Sequence, residues 1–208
     1  MAKLKIYTFP DLVLAEKAKP VVRVEKSYFK IADNMLETMY DAPGIGLAAN
    51  QVGILEKILV IDTEYDYEEF EEGMMIPEDA EVIGSSLVSK KKPTIIINPE
   101  IILKEGKAMT EEGCLSVPEF TAEVPRFKKI KIQYLDINGN SKTLLAEDLF
   151  AIAIQHEMDH LDGKLFIDRL SPLKKEMAKK KLKKDRAELE ELLMRGHSGL
   201  TRPKKKGF

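Results

Sequence analysis

The stretch Gln155-His156-Glu157-Met158-Asp159-His160 constrains this chain more than any other. A four-residue spacing sets His156 and His160 one turn apart on the same face of a helix. Two neutral imidazoles held that way can share one divalent metal. Glu157 stands about 100° around the helix from His156, close enough to reach a water on that metal without being a ligand. This is the H-E-x-x-H arrangement for metal-assisted hydrolysis, with the Glu as general base. Leu149, Ile152, Ala153, His156 and His160 fall on one stripe at offsets of three and four, which predicts a helix with an apolar His side. Asp148 is the expected N-cap and Gly163 the expected C′ residue.

A catalytic site of this kind needs a third protein ligand and keeps one position open for water or substrate. Phe166 stands where one metalloprotease class carries a third His. Glu176 or Glu188 would serve in a thermolysin-like arrangement, but both sit in a highly charged helix. Cys114 is the remaining strong candidate. As the sole cysteine it excludes an intrachain disulfide, leaving it as a buried hydrophobe, a nucleophile or a ligand.

At 208 residues the chain can bury a sizeable core. It contains no apolar run long enough to span a bilayer, so no membrane association is expected. The first ten residues lack a signal-peptide core and an Arg/Ser-rich transit character, and a cytoplasmic location is expected. The net charge of −2 hides an asymmetry. Positions 62–89 hold ten acidic residues and no basic one, whereas positions 174–208 hold thirteen basic and five acidic. The basic excess points to an anionic partner for the C-terminal segment.

Read in order, residues 1–25 form an arm with turns near Pro10 and Pro20. Ser27 to Tyr40 carries the apolar spacing of an amphipathic helix, stopped by Asp41-Ala42-Pro43-Gly44. Gly44-Ile-Gly-Leu-Ala-Ala-Asn-Gln51 follows, with two glycines that permit close backbone approach. It is not a dinucleotide fingerprint, because Ala49 replaces the third glycine and a helix precedes it. Lys57 to Asp62 reads as a strand, and the acidic segment 62–89 as a solvated loop or flap. Thr94 to Leu103 is strand-like and bent at Asn98-Pro99. Cys114 sits in an irregular strand or turn between Gly113 and Pro118, where Ser116 could cap a turn. Lys129 to Leu135 alternates with period two, and Asn138-Gly139 marks a hairpin to Lys142–Leu145. Ser171-Pro172 opens a last helix that Gly196 ends, with His197 in the tail beyond.

Three stretches, Gly44-Ile-Gly-Leu-Ala-Ala-Asn-Gln51, Glu112-Gly-Cys-Leu-Ser116 and Gln155-His-Glu-Met-Asp-His-Leu161, resemble the signature motifs of peptide deformylases, in order and in rough separation. The similarity runs from about residue 5 to residue 175. It departs from compact bacterial enzymes in the acidic insertion and the basic C-terminal extension. The resemblance implies an α+β fold, with mixed or antiparallel sheets packed around a central metal-binding H-E-x-x-H helix and a C-terminal helix. The expected organisation is a catalytic domain over 1–170, containing the insertion loop 62–89, and a basic helix and tail over 171–208.

The resemblance also implies that Cys114, His156 and His160 hold the metal. Fe(II) is the ion implied first, with Zn, Ni or Co able to occupy a thiolate–imidazole site. The implied reaction removes the formyl group from a nascent chain beginning with N-formylmethionine, releasing formate. Glu157 would move the proton, and the Gln51 side chain and the Leu115 backbone N–H would steady the oxyanion. Gly46 and the Cys114 motif would keep the site cramped. Ile45, Leu149, Ile152 and Ala153 would receive the methionine side chain. Glu112 and Arg126 form a buried pair in one reading, while Arg126 is merely exposed after Pro125 in the other. The strand edges near Ile45 and Gly113 would pair with peptide backbone. The ribosome is a candidate partner for the basic helix. The rival reading is a generic zinc metallopeptidase with Glu176 as third ligand.

Overall fold

A computed structural model of the chain describes residues 3–71 and 73–198. Helix α1 (Ser27–Asp41) leads into strands β1 (Gly46–Ala48) and β2 (Ile58–Ile61). Three short strands follow, β3 (Asp66–Glu69), β4 (Ala80–Ile83) and β5 (Ser86–Ser89). The long strand β6 (Thr94–Glu105) precedes the ribbon of β7 (Ala108–Cys114) and β8 (Val117–Arg126). Strands β9 (Lys129–Leu135) and β10 (Ser141–Glu147) then deliver the chain to α2 (Asp148–Leu161), and α3 (Pro172–Ser198) completes it.

An antiparallel five-stranded sheet, ordered β1-β2-β6-β9-β10, forms the centre. Strand β2, Ile58-Leu-Val-Ile61, is buried along its whole length. Because strand side chains alternate, Leu59 and Ile61 meet Ala151, Ile154 and Leu161 of α2 on one face. Ile58 and Val60 meet Met35, Met39 and Tyr40 of α1 on the other. A strand covered on both faces reads as a continuous apolar run, as this one does. The α+β architecture with antiparallel sheets and a C-terminal helix agrees with expectation.

Strand β6 bends where expected: its register with β9 shifts between Ile97 and Glu100, and Asn98 has φ +51°. The Asn98 amide meets both polar groups of Val21, accepting from its N–H at 2.9 Å and donating to its carbonyl at 2.8 Å. The N-terminal arm is thereby fixed to the sheet. The Asn138-Gly139 hairpin also forms, with Gly139 at φ +80°.

Three local expectations need correction. The segment 62–89 is not a structureless loop but contains a three-stranded sheet ordered β3-β5-β4. Ile83 and Val88 join the α1 core cluster, while every residue of β3 is exposed. Asp148 makes no side-chain cap, because Glu147 holds the N-cap position and Asp148 starts the helix with φ +49°. Helix α3 runs through Gly196 to Ser198, so the glycine does not end it. A glycine in a helix costs only about 1 kcal/mol against alanine, too little to stop a long one by itself. His197 therefore lies in the last turn of α3, and the tail 199–208 lies outside the described residues. Among the described residues, no helix is long and apolar enough to cross a membrane.

The third core cluster links the β7–β8 ribbon to α3. Val117 and Val124 of β8 pack with Leu165, Phe166 and Ile167, and with Ala178 and Leu182 of α3. The ribbon is thereby brought against the C-terminal half of α2.

Candidate metal centre and cleft

Five polar side chains of α2 are buried: Gln155, His156, Glu157, Asp159 and His160. Buried polar groups need partners, and those around α2 shape the site. The Gln155 amide accepts from Phe127 N–H at 2.9 Å and donates to the Phe127 and Ala151 carbonyls at 2.8 and 2.9 Å. It anchors α2 to the turn between β8 and β9. The Asp159 carboxylate accepts from Arg126 Nη1 at 2.6 Å and also pairs with Arg169.

Arg126 is buried, which decides between its two readings. Its Nε and Nη2 donate to the two oxygens of Glu112 at 2.6 and 2.8 Å, a bidentate pair. Glu112 Oε2 also lies 2.8 Å from His156 Nδ1. Burial pushes the Glu112 carboxyl up, but Arg126 and His156 outweigh it and hold the group down at about 2. The carboxylate fixes the ring of His156 and leaves Nε2 free for a ligand, as a metal-ligating histidine requires.

Cys114, His156 and His160 offer one donor atom each, all within 4.8 Å of one another. Cys114 Sγ and His160 Nε2 are 3.2 Å apart. A tetrahedral ion bound at about 2.3 Å to sulfur and about 2.0 Å to nitrogen sets its ligand atoms roughly 3.5 Å apart, close to the Cys114–His160 separation, and a thiolate with two imidazoles is a donor set such an ion takes. Burial drives His160 toward its neutral form, the form that ligates. Burial works against a charge on His156 as well, but the Cys114 sulfur and Glu112 overcome it and raise its proton affinity. Glu176 and Glu188 are exposed and take no part in the cluster.

A cleft of about 400 Å³ opens beside these donors. Ile45, Gly46, Gln51, Glu112, Gly113, Cys114, Leu115, Ile152, Ala153, His156 and Glu157 all line it, and His160 lies buried against Cys114. Of the residues expected there, Leu149 is the exception: it is 51% exposed and outside the lining. One turn before Ile152 but on the first residues of α2, it faces solvent. The stripe that carried it into the reading is set by helix periodicity, which does not tell where the wall of a cleft ends.

Glu157 is enclosed, and its Oε2 has no hydrogen-bond partner among the described residues. Burial raises its carboxyl to about 7, against the opposing pull of His156 and Arg126. A carboxyl poised near neutrality can both take and return a proton. Gln51 sits at the same cleft, its Oε1 accepting from Ala48 N–H at 2.8 Å. Sequence reasoning missed the roles of Asp159, Gln155 and Arg169 around the site. Asp159 lies inside the H-E-x-x-H motif, and its charge on an otherwise buried helix was the available signal.

Fold and donor set define a metal-dependent hydrolase. A family model described as polypeptide deformylase matches residues 3–176, and the chain belongs to that family. It is 47% identical over 184 residues to a peptide deformylase of Nitrosococcus oceani, covering 88% of this chain and 96% of that relative. A Stenotrophomonas maltophilia peptide deformylase is 46% identical over 189 residues, covering 89% and 98%. Among solved structures, a peptide deformylase from Legionella pneumophila superposes with a TM-score of 0.71 at 39% identity, covering 89% and 96%. One from Ehrlichia chaffeensis in complex with actinonin gives 0.72 at 38%, covering 89% and 98%.

Proposed function

We propose that the cleft hydrolyses the N-formyl amide of peptides beginning with formylmethionine, with the residues below in the stated roles. Deformylation of nascent peptides by a metal-dependent hydrolase is the activity of the family to which the chain belongs. The observation that carries the residue assignment is the convergence of Cys114, His156 and His160 beside Glu157 in one cleft.

Cys114, His156 and His160 would hold the ion. When bound, it polarises the formyl carbonyl and lowers the pKa of water toward neutrality. Glu157 takes the proton from the attacking water and delivers it to the leaving α-amine, so the C–N bond breaks to formate and a free N-terminus. The Gln51 amide and the Leu115 N–H steady the oxyanion of the tetrahedral intermediate. Ile45, Ile152 and Ala153 provide apolar wall for the methionine side chain, with Leu149 outside it. Strand β1 ends the five-stranded sheet, and among the described residues β7 pairs with β8 alone. Each therefore offers a backbone edge beside the cleft, near Ile45–Gly46 and Gly113. An extended peptide pairing there is read by its backbone, which tolerates varied sequence after methionine.

Fe(II) is the ion we assign, on the family resemblance, while the thiolate and imidazoles also accept Zn, Ni or Co. Anaerobic purification followed by metal analysis decides the ion. Formate release from formyl-Met peptides, with acetyl-Met peptides as controls, tests the reaction. Cys114→Ser should lose both bound metal and formate release; a variant that keeps its metal would remove the sulfur from the ligand set.

The C-terminal helix is proposed as a separate ribosome-facing element. Lys174, Lys180, Lys181, Lys183 and Lys184 are exposed along it, whereas Ala178 and Leu182 hold it to the domain. Replacing three of these lysines by glutamate should reduce co-sedimentation with ribosomes at low salt without changing formate release. Unchanged co-sedimentation would discard the assignment.

A further inference from the structure

Ser116 is completely buried, and its side chain faces Gln51. Its backbone is pinned from outside the ribbon, the carbonyl accepting from Phe9 N–H at 2.8 Å. Its Oγ accepts from Gln51 Nε2 at 3.1 Å. At the other end of the same amide, Gln51 Oε1 accepts from Ala48 N–H at 2.8 Å. Gln51 Nε2 also lies 3.6 Å from Cys114 Sγ, on the cleft side.

These contacts hold the amide at two points. The Ala48 N–H cannot accept a hydrogen bond, so it decides which end of the carboxamide is oxygen. It does not fix the plane. The terminal torsion of glutamine is broad and permits the plane to turn while the Ala48 bond survives. A second contact at Nε2 removes that freedom. It occupies one N–H and leaves the other directed toward the sulfur and the cleft. An oxyanion donor is effective only when it is aimed before the charge develops.

We propose that Ser116 is a positioning residue, whose hydroxyl sets the plane of the Gln51 amide so that its second N–H addresses the formyl oxygen. This rests on the deformylase reading of the cleft and on Gln51 as a donor. Ser116 touches neither substrate nor metal in this scheme. It acts through Gln51 alone.

A double-mutant cycle on the metal-loaded enzyme tests it: wild type, Ser116→Ala, Gln51→Ala and the double variant. Ser116→Ala should lower kcat about tenfold, less than outright loss of a donor, with KM held within about twofold. In the Gln51→Ala background the same change should cost nothing. Ser116→Thr, which restores the hydroxyl, should recover most of the rate; a thermal melt identifies whether its added methyl unsettles the core. Independently of activity, the side-chain amide resonances of Gln51 in metal-free protein should shift and exchange faster with solvent in Ser116→Ala. Equal rate losses in both backgrounds, an unchanged kcat in Ser116→Ala, or unmoved Gln51 amide resonances would each overturn the proposal. Absence of formate release from wild type would sink the deformylase reading instead, and the amide resonances would still decide whether the clamp exists.

Discussion

A Cβ placed on Gly46 would fall 2.5 Å from Glu157 Oε1 and 2.9 Å from its Cγ. The missing side chain of one residue is therefore the space occupied by the carboxylate of the other. Gly46→Ala must push Glu157 off its position, although its backbone conformation does not demand glycine. Formate release should fall about 10²-fold or more, the range expected when general acid–base catalysis is lost. Retained metal on elemental analysis, with an unchanged circular dichroism spectrum, would locate the defect at the carboxylate.

Arg126 neutralises two buried acids, Glu112 and Asp159, at once. Removing it by Arg126→Ala leaves the buried Glu112 carboxylate with His156 and Asp159 with the partly exposed Arg169, and takes from each its buried guanidinium partner. Breaking a buried pair in this way costs about 3–5 kcal/mol, chiefly through the charge left behind. The denaturation midpoint in urea should fall accordingly. A shift under about 1 kcal/mol would mean that water reaches the pair.

Tyr65 joins the acidic insertion to the rim of the cleft. Its hydroxyl donates to the Gly44 carbonyl at 3.0 Å, and its ring packs edge-on against Tyr40 with centroids 4.9 Å apart. Tyr65→Phe keeps the ring contact and deletes the tether. Stability should drop by about 1 kcal/mol, and KM for formyl-Met peptides should rise while kcat stays unchanged. Steady-state kinetics on the variant check this, and an unaltered KM would separate the insertion from substrate binding.

Asp168 gives an acid-side dependence away from the metal donors. Burial pushes its carboxyl up, but the Leu165 N–H and the ammonium groups of Lys175 and Lys179 prevail and hold it below the ordinary carboxylate range. The folded state thus binds this proton less readily than the unfolded chain. Its stabilising contribution is complete above the ordinary carboxylate range and is lost as pH falls through the lowered value. Asp168→Asn should be less stable than wild type at neutral pH, and the gap should close on acidification. Urea unfolding of both proteins across the acid range measures it.

What the sequence disclosed depended on how local each interaction is. His156, Glu157 and His160 were readable because a single helical turn brings them together. Strand β2 and the β9–β10 hairpin were readable from burial pattern and turn chemistry. Cys114 stands 42 positions before His156; elimination among third ligands left it as the strong candidate, and the family resemblance, not any local spacing, implied it as the ligand. The Arg126–Asp159 pair and the Ser116–Gln51 contact depend on how the ribbon docks, which no local spacing encodes. Strand β3, Asp-Tyr-Glu-Glu, offers no apolar alternation because it is exposed throughout, and its pairing with β5 was invisible for that reason.

The donor sulfur belongs to the two-stranded ribbon, whereas both donor nitrogens belong to a helix packed on the five-stranded sheet. Among the described residues, no strand pairing joins these two sheets. An ion gripped by all three side chains is consequently a fastener between layers as well as a reagent. Part of its binding energy is folding energy. Oxidising that single thiol would loosen the architecture in the same event that silences the chemistry.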